Sequence, residues 1–501
     1  RASSVAVVVV VASSASRRRR SPRGVGGALR LRSLPPRATM TDDEEREELE
    51  EEVSPNPATT MDDPSSEPLL PETDATWQGV VRRVSDGVVV IKTTGVRAFD
   101  TESAGSAYAT GFVVDKARGV VLTNRHVCRP GPVTAEAVFQ NREEVPLRAL
   151  YSDPVHDFAF MRFDPSLVKF QKVTDVPLAP DGAAVGLEVR IVGNDSGEKL
   201  SILSATLARL DRDAPKYGSK GYNDFNTFYI QAASGTKGGS SGSPVVDVNG
   251  RAVALNAGSK TKGSAAYYLP LHRVKRALDL LRDACPANPG DAEWRAPIIP
   301  RGTTQTTFQY RGFDECRRLG VSIETEAVLR AAQGVDGTGA LVVNDTVPGG
   351  PGEGVLVVGD VLVKMDGVVV VDFVTLESIL DDNVGRTLAC VVERGGVAKT
   401  VEILVGDLHA ITPSRMLEIA GGVVNALSYQ QARNFQLPCG GVYVAEPGYV
   451  LGVANVPKHA ILTSLGNTPT PDLDAFAAAY AKLKEGDRVP VSYFVHAERH
   501  R

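Results

Sequence analysis

Three residues in the first half of the chain have the types that nucleophilic catalysis requires. His126 follows an apolar run, Asp157 precedes another, and Ser241 lies in the glycine- and serine-rich stretch 237–244. Serine is a poor nucleophile at its own pKa, so it needs a base that takes its proton and a carboxylate that orients this base. His156 is a poor rival to His126, because adjacent side chains on an extended chain point to opposite faces. The residues therefore predict a base, its orienting carboxylate and a nucleophile.

The order of the three residues along the chain indicates which class of serine hydrolase they resemble. Histidine, aspartate and then serine is the chain order of chymotrypsin-type triads, and it differs from the order in subtilisin and in the α/β-hydrolases. Residues 238–242 also match the G-x-S-x-G nucleophile elbow of the α/β-hydrolases, with Ser240 as its serine. That fold needs an aspartate and then a histidine downstream, and Asp247 and His272 are only weak candidates. We therefore prefer Ser241 as the nucleophile.

The glycines around the serine allow a tight turn whose amides point to one place. We expect the N–H groups of Gly239 and Ser241 to form an oxyanion hole, with the N–H of Ser240 between them. Such donors stabilise the charge that develops on a carbonyl oxygen under attack, and losing one typically costs roughly 2.7–4 kcal/mol of transition-state stabilisation. Together with the histidine and the aspartate, this turn predicts acyl transfer.

The segments around these residues have the pattern of short β-strands. The run 158–163 predicts a strand, and 111–124 predicts a hairpin that ends just before His126. Apolar residues at helical spacing over 271–281 predict a helix that closes the domain. Abundant glycine and valine with few aromatic residues favour β-rich domains. We therefore place a first folded domain at 76–283.

Several stretches of this domain resemble the HtrA/Deg family of serine proteases. Four of them are ATGFVV at 109–114, VLTNRHV at 121–127, HDFAF at 156–160 and GSSGSP at 239–244. RAFDTESAG at 97–105 and NDFNTFYIQ at 223–231 resemble the long eukaryotic branch, which holds a nuclear pro-apoptotic protease of fungi and plastid relatives in plants. The resemblance runs from about Trp77 to the C-terminus. It implies a mostly β fold, with a chymotrypsin-like double six-stranded β-barrel, a site in the cleft between the barrels, and two PDZ-like domains after them.

The resemblance also implies a specificity pocket. Trypsin-like proteases carry an acid six positions before the serine, whereas Gly235 stands there and no Asp or Glu lies between residues 231 and 241. Asn256 and Ala257 are implied to form the pocket wall. We therefore expect cleavage after Val, Ala or similar small residues in unfolded proteins. A loop at 208–226 is implied to sense the occupancy of a PDZ domain, with an ordinary surface loop as the alternative.

A linker and a first small module follow the protease domain. Residues 284–300 are rich in proline, alanine and charge, which predicts a linker. The valine-rich strands and glycine turns of 301–405 resemble a PDZ domain. Leu319, Gly320 and Val321 look like its carboxylate-binding loop, whose amides would capture a peptide C-terminus while the peptide adds a strand to the sheet. A PDZ-like fold without a ligand is the alternative.

Residues 406–501 repeat this plan less clearly. Three stretches resemble the same protease branch: LSYQQAR at 427–433, GVYVAEPG at 441–448 and GNTPTP at 466–471. We find no convincing carboxylate loop, so we expect a structural or docking role for this second PDZ-like domain. Long members of the branch continue into a degenerate second protease half, and this sequence is either a shorter form or part of a longer protein.

Composition and charge argue against several classes of partner. The chain has 501 residues, enough for two to four domains, and its net charge of −5 gives no bias towards nucleic acid. The five cysteines are widely spaced and odd in number, which argues against a disulfide framework or a zinc site and fits reducing surroundings. No run after Ala12 is long and apolar enough to cross a bilayer. We expect no metal and no organic cofactor.

The first 75 residues predict an unfolded tail. Residues 1–40 lack Asp and Glu, and acidic and then Pro/Ser/Thr-rich stretches follow. The Arg/Ser-rich part resembles a transit peptide, the four arginines at 17–20 could form a nuclear-import patch, and untranslated or disordered sequence is a third interpretation. The compartment, plastid or nucleus, stays open.

These observations together predict an ATP-independent serine endopeptidase of the HtrA/Deg type that acts on misfolded or exposed protein segments. The resemblance implies this activity, a role in protein quality control and assembly as a homo-oligomer. A PDZ scaffold or holdase chaperone with a catalytically silent protease domain is the alternative from another class.

Overall fold

The computed structural model describes residues 77–194, 200–216, 221–233, 239–260, 265–285, 297–334 and 337–496, together with the backbone of Ser4–Val9. Gly235, most of the predicted tail and most of the predicted linker lie outside the described residues. The domain boundaries given above stay predictions.

A closed six-stranded antiparallel barrel follows the helix α1, Trp77–Ser85. Its strands run in the spatial order β2-β3-β4-β7-β6-β5, and a helical turn α2, Arg125–Cys128, follows β4. The strands are β2 Val88–Gly95, β3 Gly105–Asp115, β4 Val120–Thr123, β5 Val133–Val138, β6 Glu144–Ser152 and β7 Ala159–Arg162; β1 is the early strand Ser4–Val9. A short 3-10 turn, Pro165–Leu167, lies beyond β7.

A second closed barrel follows, with the spatial order β10-β13-β12-β11-β8-β9. A 3-10 turn at Pro180–Gly182 precedes it, and the helix α3, His272–Ala284, closes it. Its strands are β8 Glu188–Gly193, β9 Ser201–Asp213, β10 Phe228–Ala232, β11 Pro244–Val246, β12 Ala252–Lys260 and β13 Ala265–Pro270.

Valine runs explain why these segments form barrel strands. The side chains of Val88, Val89, Val90 and Ile91 are all buried, because a strand of a closed barrel turns one face to the barrel core and the other to packed neighbours. Every described pairing between strands of the same sheet is antiparallel, as hairpins joined by short turns require. The predicted hairpin at 111–124 corresponds to β3 and β4.

The first small module is a six-stranded sheet in the order β15-β16-β17-β19-β20, with β18 paired to β17. A two-stranded pair of β14 and β21 lies beside it. Its strands are β14 Gly302–Thr303, β15 Thr306–Gly312, β16 Gly339–Thr346, β17 Val361–Met365, β18 Val368–Val369, β19 Thr387–Arg394, β20 Val397–Leu404 and β21 Gly406–Asp407. Its helices are α4 Phe313–Arg318, α5 Ile323–Gln333 and α6 Phe373–Asp382.

The second small module has the sheet order β1-β27-β25-β24-β23-β22, with β26 paired to β25. The early strand β1 pairs with the last one, an arrangement that the interpretation of residues 1–75 as a tail did not include. Its strands are β22 Met416–Ile419, β23 Gly422–Ala426, β24 Val442–Glu446, β25 Ala460–Leu465, β26 Thr468–Pro469 and β27 Arg488–Val495. Its helices are α7 Tyr429–Phe435, α8 Gly448–Val453 and α9 Leu473–Tyr480.

The predicted fold class is confirmed, because the described chain is mostly β and contains two closed six-stranded barrels followed by two smaller sheet modules. Antiparallel barrels also exclude the α/β-hydrolase alternative, whose elbow belongs to a parallel sheet with helices on both faces. Within the residues that the structure describes, no helix is long and apolar enough to span a membrane.

Candidate active site

The predicted base lies where the first barrel meets the second. β4 ends at Thr123, and Asn124 begins the helical turn that carries His126. The buried amide of Asn124 donates from Nδ2 to the main-chain oxygen of Asp157 at 2.9 Å. This bond ties the turn with the histidine to the segment with the aspartate, which enters the site between β6 and β7.

His126 and Asp157 form a hydrogen-bonded pair. The imidazole Nδ1 lies 2.8 Å from Asp157 Oδ2 and 3.0 Å from Oδ1, and the main-chain N–H of His126 donates to Oδ1 at 3.1 Å. Because a carboxylate accepts hydrogen bonds, Nδ1 carries the proton and Nε2 is left as the basic nitrogen. Asp157 is fully buried, whereas 34% of the His126 side chain is exposed. The pair therefore offers a fixed tautomer with an accessible base.

The environment of His126 raises its pKa above the ordinary value for histidine. Burial acts to lower the pKa, but the negative charge of Asp157 and its hydrogen bond act in the opposite direction and outweigh it. A base strengthened in this way accepts a proton more readily, which suits it to general acid–base catalysis.

The three serines in the turn with the predicted nucleophile differ in burial. Ser240 is 2% exposed and accepts at Oγ from Asn256 Nδ2 at 3.1 Å, and fully buried Ser243 donates from Oγ to the Ser240 main-chain oxygen at 2.6 Å. Ser241 is only half-buried. Of these three hydroxyls, that of Ser241 is therefore the one placed to meet a substrate.

Hydrogen bonds hold the Ser241 turn against the first barrel. The main-chain N–H of Thr110 donates to the Ser241 oxygen at 2.9 Å, and Thr123 Oγ1 donates to the Thr110 oxygen at 2.8 Å. Gly242 has a φ of +85°, and a Cβ there would lie 2.0 Å from the Thr110 oxygen, so only glycine fits. The end of β4, just before His126, and the nucleophile turn thus share Thr110 as a common partner.

Two features of the site bear directly on catalysis. Within the described part of the chain, the N–H groups of Gly239 and Ser241 donate to no acceptor, while the Gly239 oxygen accepts from Thr110 Oγ1 at 3.0 Å. Among the same residues, no hydrogen bond joins the imidazole of His126 to the hydroxyl of Ser241. In unliganded enzymes such bonds are often long and tighten only when substrate binds.

The structure describes two of the three residues predicted to form the specificity pocket. Gly235 lies outside the described residues. Asn256 and Ala257 are buried, at 0% and 3% exposure, and the Asn256 amide donates from Nδ2 to the Ser240 main-chain oxygen at 2.7 Å. The main-chain oxygen of Asn256 accepts from the Gly242 N–H at 2.9 Å, and the Asn256 N–H donates to the Ser243 oxygen at 3.0 Å. Asn256 therefore braces the nucleophile turn, a role that the sequence did not indicate.

The structure does not support a carboxylate loop at Leu319, Gly320 and Val321. The three amides donate to the oxygens of residues 315–317 at the end of α4, with the Val321 N–H bonded to Cys316 at 3.1 Å. Gly320 has a φ of +101°, and this pattern of bonds is the Schellman motif that ends many helices. Amides that already cap a helix are not available to a peptide carboxylate.

The free edge of the first module's sheet faces the protease barrels. The side chain of Asn226, just before β10, accepts at Oδ1 from the Phe308 N–H at 2.8 Å and donates from Nδ2 to the Thr306 oxygen at 3.0 Å. Phe228 packs edge-on against Tyr310 at 5.3 Å and Phe373 at 5.0 Å between ring centroids. Protease residues thus occupy part of the edge of β15 that an added peptide strand would use.

A buried charge cluster, which we call the junction cluster, also joins the first module to the barrels. Its central residue Arg301 pairs with Asp153, four residues before Asp157, and with Asp381 on α6, both at 2.9 Å. The other members are His156, Asp224, Arg273 and Glu377. Local sequence patterns do not indicate this cluster, because its members come from separate segments of the chain.

The second module is attached by an apolar contact. Its helix α7 contributes Tyr429, whose ring lies edge-on to Phe225 of the protease at 5.3 Å, and Arg433, whose guanidinium lies 4.1 Å from the same ring. Ala98 and Val155 of the first barrel belong to the same buried cluster. The second module therefore packs directly against the protease barrels.

Within the described residues, no group of three or more His, Cys, Asp or Glu side chains is arranged to hold a metal ion. All five cysteines are free thiols there, and burial raises the pKa of Cys128, Cys390 and Cys439 to about 12.

Comparisons with known proteins agree with this geometry. Residues 109–255 match the family described as trypsin-like peptidase domain, and residues 410–486 match the PDZ-like domain. The chain is 56% identical to Protease Do-like 7 of Arabidopsis thaliana over 87% of this chain and 40% of that protein. It is 45% identical to the pro-apoptotic serine protease NMA111 of Ajellomyces capsulatus over 86% of this chain and 42% of that protein.

Among solved structures, the HtrA-type protease AlgW with a decapeptide is similar, with a TM-score of 0.47 and 18% identity over 66% of this chain and 98% of that one. The chain spans about two fifths of the length of the curated relatives it matches. The sequence comparisons confirm the resemblance to HtrA/Deg proteases, the trypsin-like serine protease domain and a PDZ domain.

Proposed function

From the premise that this chain carries a trypsin-like serine protease domain and a PDZ-like domain of the HtrA/Deg kind, we propose that it hydrolyses peptide bonds in unfolded or exposed segments of other proteins, without ATP. The observation that carries the proposal is the His126–Asp157 pair, joined at 2.8 Å beside the turn that presents Ser241.

The reaction follows from the roles of these groups. His126 Nε2 takes the proton of the Ser241 hydroxyl as Oγ attacks the scissile carbonyl carbon, and Asp157 stabilises the imidazolium that forms. The N–H groups of Gly239 and Ser241 receive the oxyanion of the tetrahedral intermediate. The imidazolium then protonates the leaving amine, which leaves an acyl group on Ser241. A water molecule, deprotonated by His126, attacks this ester and releases the second product.

For specificity we propose cleavage after small aliphatic residues such as Val and Ala. The sequence offers no acid between residues 231 and 241 that would attract Lys or Arg. A role in protein quality control is consistent with a protease that recognises unfolded segments and carries PDZ-like modules, which bind peptides in other proteins.

A fluorophosphonate probe, which forms a covalent bond with an activated serine, tests the proposal. We expect labelling of the unsubstituted protein and of the Ser240→Ala variant, and none of Ser241→Ala. Ser240→Ala is a matched control, because it removes a hydroxyl one residue away that is buried against Asn256. A peptide-library profile then tests specificity, and cleavage mainly after Lys or Arg would contradict the proposed pocket.

A scaffold or holdase with a silent protease domain is the second candidate. The observation in its favour is that no hydrogen bond joins His126 to Ser241 in the described part of the chain. Failure of the probe to label the intact protein, with and without unfolded protein as an activator, would favour this candidate. Labelling that Ser241→Ala abolishes would exclude it.

A further inference from the structure

A second buried aspartate lies behind the catalytic pair and has no part in the reaction described above. The side chain of Asp224 is 0% exposed and accepts four hydrogen bonds. Its Oδ1 accepts from the Phe225 N–H at 2.7 Å and lies 2.9 Å from His156 Nδ1. Its Oδ2 accepts from the Asp157 N–H at 3.1 Å and from the Tyr229 hydroxyl at 3.0 Å. A buried carboxylate with this many donors has little freedom to move.

These four bonds connect the two barrels. The Asp157 and His156 donors belong to the segment between β6 and β7 of the first barrel, whereas Phe225 and Tyr229 lie just before and within β10 of the second barrel. The main chain at Asp157 is thus held from two sides, by Asn124 at its oxygen and by Asp224 at its N–H. Such bonds set where the carboxylate of Asp157 meets the imidazole.

The segment that carries Asp224 is itself held by both small modules. Asn226 bonds the edge of β15 in the first module, as described above. Phe225 packs against Tyr429 of the second module, and Arg433 Nη2 donates to the Asn223 oxygen at 3.1 Å. The residues on both sides of Asp224 are therefore held by contacts with the two modules.

We propose that Asp224 is a positioning residue for Asp157, the predicted catalytic aspartate, and that it acts by holding the main chain of Asp157 between the two barrels. This inference rests on the proposed serine protease function. Asp224 touches neither His126 nor Ser241 in a described hydrogen bond, and it acts through the main chain of Asp157 and the side chain of His156.

The Asp224→Asn substitution would disturb this arrangement in a defined way. An amide keeps one acceptor oxygen and turns an NH2 group towards a pair of donors, so either the Asp157 N–H or the His156 imidazole loses its acceptor. An unpaired buried donor is unfavourable, and the segment relaxes to find another partner. A shift of about 1 Å in a catalytic group can cost roughly 100-fold in rate.

The test compares Asp224→Asn with Asp247→Asn. Asp247 is also a buried aspartate of the second barrel, 4% exposed, but its partners Asn249 and Arg251 belong to its own turn, away from the triad. With the fluorophosphonate probe, we expect the labelling rate per folded molecule to fall roughly 10- to 100-fold in Asp224→Asn. We expect Asp247→Asn to label close to the unsubstituted rate.

Two further readouts separate positioning from a loss of stability. Because a weaker pair with Asp157 makes His126 a weaker base, the acid limb of the labelling rate moves to lower pH in Asp224→Asn. The downfield NMR signal of the His126 Nδ1 proton also shifts in this variant, even if the protein labels poorly. Neither change is expected in Asp247→Asn. If Asp224→Asn does not fold, Tyr229→Phe serves instead, with smaller changes in the same direction.

Each outcome is decisive. Equal labelling rates, equal acid limbs and an unmoved NMR signal in the two Asn variants would overturn the positioning role and leave the proposed function intact. An unsubstituted protein that the probe never labels would refute the proposed function instead, and the NMR signal would still decide whether Asp224 positions the pair.

Discussion

Two histidine–aspartate pairs lie side by side in this molecule, and they differ in what surrounds them. His126 pairs with Asp157 at 2.8 Å and keeps a third of its side chain exposed. His156, the neighbour of Asp157 in sequence, pairs with Asp224 at 2.9 Å but is only 1% exposed. The hydrogen bonds are alike, so burial and the nearby charges must account for the difference in role.

The surroundings fix His156 as a cation. Burial acts to lower its pKa, but the charge and hydrogen bond of Asp224, with further contributions from Glu377 and Asp153, raise it to about 9. With His156 charged, three cations face four carboxylates in the junction cluster. An accessible histidine beside one carboxylate is a base, whereas a buried histidine among several carboxylates is a structural cation.

Of the substitutions that test this comparison, we expect the largest effect from a change of Asp157. Asp157→Asn leaves the size of the side chain unchanged but favours the wrong tautomer of His126, and in triads of this type the change lowers kcat by about 10⁴-fold. The rate of peptide hydrolysis measures the effect, and circular dichroism checks that the variant folds. A variant with near-normal kcat would show that Asp157 does not orient the base.

We expect a substitution in the junction cluster to lower the free energy of unfolding. Arg301→Met removes the central cation and leaves Asp153, Asp381 and Glu377 buried without it, and breaking a buried ion pair in this way typically costs about 3–5 kcal/mol. Urea unfolding measures the loss. Lys92→Met is the matched control, because the Lys92–Glu144 pair is exposed and exposed pairs contribute little. Equal stability of the two variants would contradict the structural role of the cluster.

His156 predicts how stability changes with pH. Its pKa is about 9 in the folded protein and about 6.5 in an unfolded chain, so its contribution is complete below about pH 6.5 and is lost as the pH rises through about 9. We expect the stability of the unsubstituted protein to fall over this range more steeply than that of His156→Gln. Both proteins share the buried thiols, so the difference isolates His156. Parallel pH curves would contradict the prediction.

The smallest expected effect concerns the other histidine, His126, and the pH dependence of activity. His126 must be neutral to act as a base, and its pKa is raised by Asp157, so activity is lost as the pH falls through a value above that of free histidine. The pH profile of kcat/KM for the unsubstituted protein therefore has its acid limb above about pH 6.5. An acid limb well below that value would mean that His126 is not the titrating base.

Much of the fold and part of the candidate site follow from local sequence patterns. Valine-rich strands and short turns predict the barrels, because strand pairing in hairpins is local. The glycine- and serine-rich turn and the residue order indicate His126, Asp157 and Ser241. The structure pairs His126 with Asp157 and joins the Ser241 turn to Thr110, which also bonds the end of β4 just before His126. The roles of these three residues stay predictions until the variants are measured.

The remaining features depend on contacts between distant segments. The contacts of Asp224 and Arg301 follow from no local pattern, since their partners come from both barrels and from α6. The resemblance implies that a loop at 208–226 senses a PDZ domain, but no local pattern predicts which residues of 223–226 contact the two modules. The structure does not support the carboxylate loop predicted at Leu319-Gly320-Val321, because the same three residue types can also end a helix. Only the bonds of its amides distinguish the two.

A crystal structure of the protein after reaction with a fluorophosphonate tests the central claim most directly. Our account predicts a covalent bond to Ser241 Oγ, a phosphoryl oxygen within hydrogen-bond distance of the Gly239 and Ser241 amides, and His126 Nε2 facing the adduct. An adduct on Ser240, or a His126 imidazole turned away from an adduct on Ser241, would contradict it.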